Sequence, residues 1–207
     1  MQNSSRPKKT CSRCVRLVNF REANKTKQPT WFNGAVPSFG SLDSELLIVG
    51  LAPGLQGANK TGRPFTGDYA GKVLYRALIE HGWAQGVYDD QVLSNLKMHG
   101  ARITNAVRCV PPQNKPNAYE VNQCNDFLAK EIKALPNLET IIALGRLAHQ
   151  AILKSLQLKQ SLYLFNHGTT HKLSTNIKLI DSYHCSRYNI NTRRLTYEMF
   201  NKIFSQV

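Results

Sequence analysis

Four cysteines stand in two groups, Cys11-x2-Cys14 near the start of the chain and Cys109-x14-Cys124 much later. Where thiols stay reduced, a Cys-x2-Cys is read as part of a metal clamp rather than of a disulfide. Four thiolates suit a structural zinc ion and an iron-sulfur cluster equally, and spacing alone does not choose between them. Three other residues carry groups that could act on a substrate: Asp68 just ahead of a helical stretch, Asn105 at the end of one strand and His184 at the end of another. Together they would supply a carboxylate, an amide that both donates and accepts, and an imidazole. Each also has an ordinary use: Asp68 as a helix N-cap, Asn105 as a loop cap, and His184 as a structural hydrogen-bonding group.

Charge narrows the partner. Twenty-seven Lys and Arg face thirteen Asp and Glu, a formal net charge of +14 spread along the chain rather than gathered in a tail. That excess exceeds what solubility needs and implies a polyanion; a basic surface with no specific ligand is the plainer alternative. Residues 1–9 hold no apolar stretch, so a secretory signal is not expected. No run approaches the roughly 18 apolar residues of a membrane span. The expectation is a cytoplasmic monomer without a membrane partner. At 207 residues the chain can bury one good-sized core, so a single domain over 1–207 is expected, with residues 1–40 as a cysteine-containing arm packed on it.

The elements that must position these groups follow from periodicity. Leu46-Leu47-Ile48-Val49-Gly50 is a short apolar run ending in glycine, as in a strand buried on both faces. Comparable runs lie at 103–107, 140–145 and 178–183, and helical patterns at 70–81, 118–135, 146–158 and 193–204. Strands alternating with helices predict a three-layer α/β/α sandwich around a mostly parallel, four-stranded sheet. The arm reads as irregular, held by metal and by Trp31, Phe32 and Phe39. Ligands of such sheets bind beyond the carboxyl ends of the strands, so loops 50–69, 105–116 and 183–194 should converge on one cleft.

The first of these loops, GLAPGLQGANKTGRPFTGDYAG (50–71), is rich in glycine and delivers Phe65 and Asp68 to the start of a helix. Gly57 and Gly62 have phosphate-loop spacing, but Arg63-Pro64 stands where Lys and Ser or Thr would be required. This loop, the stretch Thr104-Asn105-Ala106-Val107-Arg108-Cys109-Val110-Pro111-Pro112-Gln113-Asn114-Lys115-Pro116, and His184-Cys185-Ser186-Arg187-Tyr188-Asn189-Ile190 through Thr196 together resemble the motifs of the uracil-DNA glycosylase superfamily. The likeness is greatest to its family 5, the iron-sulfur branch called type b. Family 4 usually has an acidic residue directly after the first glycine, where this chain has Leu51.

That resemblance implies a monofunctional enzyme, prokaryotic and working at the chromosome, that removes uracil from DNA and leaves an abasic site. Breaking an N-glycosidic bond through an oxocarbenium-like sugar needs a carboxylate near C1′ and donors for the charge on the leaving base. Asp68 would position water or steady the sugar cation, Asn105 would pair with the pyrimidine edge, and His184 would donate to the base oxygen. Phe65 would stack on the extruded base, with the backbone of Gly50, Leu51 and Ala52 close by. Ser186 would orient nearby backbone at the DNA, and Arg187, Tyr188 and Ile190 would fill the gap left in the duplex. Lys60, Arg63, Asn114, Lys115, Arg193 and Arg194 are the expected DNA contacts. For Cys11, Cys14, Cys109 and Cys124 the resemblance favours a structural 4Fe-4S cluster over zinc. Leu51 in place of a polar residue implies a roomier pocket, with hypoxanthine, ethenocytosine and 5-hydroxymethyluracil as further substrates. Cys185 departs from the family, which generally has proline there, and reads as a buried small residue. The rival from another class is a non-catalytic metal-cluster nucleic-acid-binding protein, which would use the same basic surface.

Overall fold

The run Leu46–Gly50 is buried at every residue, as an apolar stretch without alternation requires. The computed structural model describes residues 5–89 and 95–207; the first four residues of the expected arm lie outside them. In chain order come helix α1 (Val15–Lys27), strand β1 (Leu46–Gly50), helices α2 (Ala58–Thr61) and α3 (Tyr69–Glu80), and the short strands β2 (Ala84–Gln85) and β3 (Lys97–Met98). Strand β4 (Ala101–Asn105), helix α4 (Ala118–Lys133), strand β5 (Thr140–Leu144) and helix α5 (Arg146–Ser155) follow, then strands β6 (Thr170–Lys172) and β7 (Lys178–Ser182) and helices α6 (Arg187–Asn191) and α7 (Tyr197–Phe204).

The main sheet has the order β4-β1-β5-β7-β6. Its first four strands are parallel and β6 lies antiparallel on β7. The four expected strands are therefore present, and a fifth closes one edge. Its three residues, Thr-His-Lys, carry no apolar pattern, which is why the sequence did not announce it. Side chains alternate across the sheet into two cores. Leu46 and Ile48 of β1 pack with α3 and α7 residues such as Leu74, Leu78, Phe200 and Phe204. Leu47 and Val49 point the other way, toward Leu128, Ile132, Ala148 and Ile152 of α4 and α5. This is the three-layer sandwich.

Two expectations need correcting. The arm is not irregular, since α1 occupies thirteen of its residues. It escaped periodicity because it buries only Leu17, Arg21 and Asn24, two of them polar. The helix expected over 193–204 starts only at Tyr197, as α7; residues 193–196 form a turn in which Arg193 takes φ +56°, and the short helix α6 precedes it. Strand β4 lies two residues before the apolar run at 103–107, and Asn105 is its last residue, at a strand end as expected.

A buried ion network fixes the end of β4. Glu131 of α4 accepts from Arg102 Nε on Oε1 at 2.7 Å and from Thr104 Oγ1 on Oε2 at 3.0 Å, and Arg108 Nη2 closes the network on Oε2 as well. All three charged side chains are at most 2% exposed. Burial alone would raise the Glu131 carboxyl, but Arg108 and Arg102 outweigh it and hold it down at about 2. The network clamps β4 and the start of the loop at 109 to α4, and so fixes both Asn105 and Cys109.

Candidate active site

Gly50 and Asn105 are register partners at the carboxyl ends of the adjacent strands β1 and β4. The pairing continues into the loops, where Ala106 N donates to Gly50 O and Val107 N to Leu51 O, each at 2.9 Å. Glycine at position 50 is a matter of space. A Cβ there would lie 2.5 Å from Asn105 Oδ1 and 2.6 Å from Phe65 Cζ. Asn105 is 4% exposed, and its Oδ1 is buried with no hydrogen-bond partner. An amide oxygen left so costs on the order of 1–3 kcal/mol unless something else satisfies it.

Phe65 is buried and held at φ +53°, a strained conformation for a side chain of this size. Tyr75 of α3 donates its hydroxyl to Pro64 O at 3.0 Å and so braces the loop that carries the ring. The Phe65 ring stacks on His184, with centroids 5.9 Å apart and planes at 26°. His184 leaves the end of β7. Its surroundings strip it of water, and that desolvation pulls its pKa down to about 4. The imidazole is therefore neutral at physiological pH. Asn189 holds the backbone of this turn by donating to His184 O at 2.8 Å, and Ser186 caps α6 by accepting from Asn189 N at 3.3 Å.

Asp68 is the N-cap of α3: its Oδ1 accepts from Gly71 N at 3.0 Å. Its Oδ2 faces the glycine loop so closely that a Cβ on Gly57 would approach it to 2.7 Å. The ordinary use and the chemical one therefore coexist in one carboxylate. Leu51, Ala52, Phe65, Asp68, Asn105, Asn114, His184, Ser186 and Arg187 all line one cavity of about 530 Å³, a size suited to a single small ligand or nucleobase.

The sequence from residue 37 to 207 matches the Uracil DNA glycosylase superfamily. The chain belongs to that superfamily. It is 39% identical over 202 residues to a Type-5 uracil-DNA glycosylase of Thermus thermophilus, an overlap covering 95% of this chain and 91% of that protein. To a Type-5 uracil-DNA glycosylase of Pyrobaculum aerophilum it is 36% identical over 197 residues, covering 93% and 85%. To a Type-4 uracil-DNA glycosylase of Archaeoglobus fulgidus it is 30% identical over 173 residues, covering 81% and 77%. These relatives are bacterial and archaeal. No helix among the described residues is long and apolar enough to cross a membrane.

Other expected superfamily positions do not reach the cavity wall. Lys60 is exposed and sits 5.9 Å from the Trp31 ring; Arg63 stacks on Phe39 at 4.2 Å, and Arg194 on Tyr183 at 4.8 Å. Lys115 and Arg193 are exposed. Tyr188 is 71% exposed, whereas Ile190 packs partly against the core, so only the former stands proud of the surface. Pro53, Gly54, Gln56 and Tyr69 line the cavity without having been singled out. Tyr69 directly follows Asp68 and faces the Arg187 guanidinium at 5.5 Å, a contact that adjacency in sequence could have suggested.

The four cysteines come together on the other side of the loop after β4. All are free thiols that line one small pocket with Leu17, Ala35, Val107 and Phe127. Arg108 N donates to Cys124 Sγ at 3.3 Å and Arg21 Nη1 to Cys109 Sγ at 3.8 Å. Burial and neighbouring cysteines push Cys109 up to about 12 and Cys14 up to about 11, so thiolates here need a cationic centre to stabilise them. Four thiols on one pocket are a donor set that fits a thiolate-bound metal centre, zinc or iron-sulfur alike. The arm is also tied down by protein contacts, with Arg16 bound to both oxygens of Glu120 at 2.7 and 2.8 Å and Arg13 to Asp126 at 3.2 Å. Cys185, the fifth cysteine, is fully buried, and its thiol donates to Ala70 O at 3.5 Å.

Proposed function

We propose that the chain is a monofunctional uracil-DNA glycosylase that hydrolyses the bond between uracil and deoxyribose and leaves an abasic site. The observation that carries this reading is the partnerless buried oxygen of Asn105, set beside the Phe65 ring with the Asp68 carboxylate on the same cavity wall. A uracil turned out of the duplex lies flat on Phe65 while the Asn105 amide meets its edge, Nδ2 donating to a base oxygen and Oδ1 accepting from a ring N–H. As the glycosidic bond stretches, negative charge gathers on the base. The neutral His184 imidazole donates its N–H to the base oxygen without having to lose a proton. Asp68, held by Gly71 N, faces the sugar, stabilises its developing positive charge and orients the attacking water. Asn114, Ser186 and Arg187 form the rim, with Arg187 a phosphate contact and the exposed Tyr188 filling the vacated space in the stack.

A 4Fe-4S cluster held by Cys11, Cys14, Cys109 and Cys124 would supply a rigid, redox-silent junction between the arm and the loop after β4. Leu51 places an apolar side chain on the cavity wall, which supports tolerance of hypoxanthine, ethenocytosine and 5-hydroxymethyluracil beside uracil. Incubation with a duplex bearing one uracil, followed by alkali, tests the reading. Strand breakage at the uracil is expected. An intact strand, with salt-dependent binding retained, would leave only a non-catalytic DNA-binding protein.

A further inference from the structure

A second polar centre lies on the opposite face of the sheet, where the glycosylase reading gives it no task. Asp181 of β7 is fully buried. Its Oδ1 lies 2.7 Å from His149 Nδ1 of α5, and its Oδ2 lies 3.0 Å from His171 Nε2 of β6. The other nitrogen of His149, Nε2, lies 2.9 Å from the backbone oxygen of Tyr163. A carbonyl oxygen only accepts, so Nε2 carries the hydrogen. In the neutral imidazole Nδ1 is then a bare lone pair, pointed at a carboxylate oxygen at hydrogen-bond distance. Two acceptors cannot face each other at 2.7 Å in a buried site. Either a second ring proton or a metal cation has to hold the pair together.

We propose that it is a metal cation, a divalent first-row transition metal of the zinc class, bound by His149 Nδ1, His171 Nε2 and the Asp181 carboxylate. The three ligand atoms come from three different elements yet lie within 4.8 Å of one another. Two imidazoles and one carboxylate are a common donor set for such ions. The His149 Nε2–H bond to Tyr163 O is the outer contact that usually fixes a metal-bound histidine in its tautomer. His171 is 11% exposed, so solvent can complete the coordination. The ion would join α5, β6 and β7 at the root of the turn that carries His184, three residues beyond Asp181. This proposal does not rest on the assigned reaction.

The full chain, with its cysteine site loaded, is freed of loosely bound metal and titrated with cobalt(II), then with zinc. One equivalent of cobalt should bind at micromolar concentration and give weak ligand-field bands without thiolate-to-cobalt charge transfer. Zinc should displace it, and the melting temperature should rise. His171→Ala, at a partly exposed edge position, should lose that equivalent while circular dichroism and iron content stay unchanged; Asp181→Asn should behave alike. The proposal falls if no cobalt binds, if His171→Ala takes up the same equivalent, or if the bands show sulfur ligation. It falls equally if nitrogen NMR finds both ring nitrogens of His149 protonated in the zinc-treated protein, since a proton would then occupy the place assigned to the metal.

Discussion

Replacing Glu131 with Gln keeps the shape of the side chain and removes the carboxylate that pairs with both buried arginines, Arg102 and Arg108. The magnitude follows from the carboxyl's own titration. Its pKa is held at about 2 in the fold against an ordinary 4.5; at 1.36 kcal/mol per pKa unit the difference is worth about 3 kcal/mol of stability at neutral pH. A loss of that order agrees with the roughly 3–5 kcal/mol cost of removing one partner from a buried ion pair. The folded-state value is depressed, so this contribution is complete above pH 4.5 and fades as pH falls toward 2. Urea unfolding at pH 7, followed by circular dichroism, should place the Glu131→Gln midpoint about 1 M below wild type for a slope of about 2–3 kcal/mol per molar. The gap should narrow when the comparison is repeated at pH 3. A loss under about 1 kcal/mol, or a gap that does not change with pH, would refute the assignment of Glu131 as the clamp of β4.

Gly50→Ala forces a methyl group between Asn105 and Phe65; single-turnover excision should drop about 100-fold while duplex affinity holds, because displacement near 1 Å at a reacting centre costs about that much. His184→Ala should slow excision by roughly 10²–10³. Because the His184 pKa is depressed to about 4, the neutral donor persists well below pH 6.5, and its contribution to stability declines only as pH falls from 6.5 toward 4. A wild-type rate profile with an acid limb centred at 6.5 that disappears in His184→Gln would contradict this. Purified protein should be brown and contain iron and sulfide, and Cys109→Ala should lose both; a colourless, zinc-containing and fully active preparation would reject the cluster.

The parts of the molecule legible in the sequence were those in which one residue type answers one physical demand. The buried strand Leu46–Gly50 could be read because no amphipathic element tolerates five consecutive residues of that kind. The convergence of residues 68, 105 and 184 followed from their places at strand ends in a parallel sheet. Helix α1 was not legible, because its stability comes from contacts made far along the chain, such as Arg16 with Glu120, rather than from an apolar stripe. The same holds for the buried charges. Arg102 and Asp181 sit within apolar strands, where a charged residue signals a partner without naming it. Glu131 and His149 become visible as those partners only once helices α4 and α5 lie on the sheet. DNA contacts at Lys60, Arg63 and Arg194 were read from charge alone, and charge does not say whether a side chain faces the cavity or rests on a neighbouring ring.

The central claim is that Asp68 and Asn105 act on one extruded nucleotide. Single-turnover release of uracil from a uracil–guanine duplex, measured beside duplex affinity for wild type, Asp68→Ala and Asn105→Ala, tests it most directly. Each variant should release base about 10²-fold or more slowly with affinity within a few-fold of wild type. Wild-type release rates in both folded variants would contradict it.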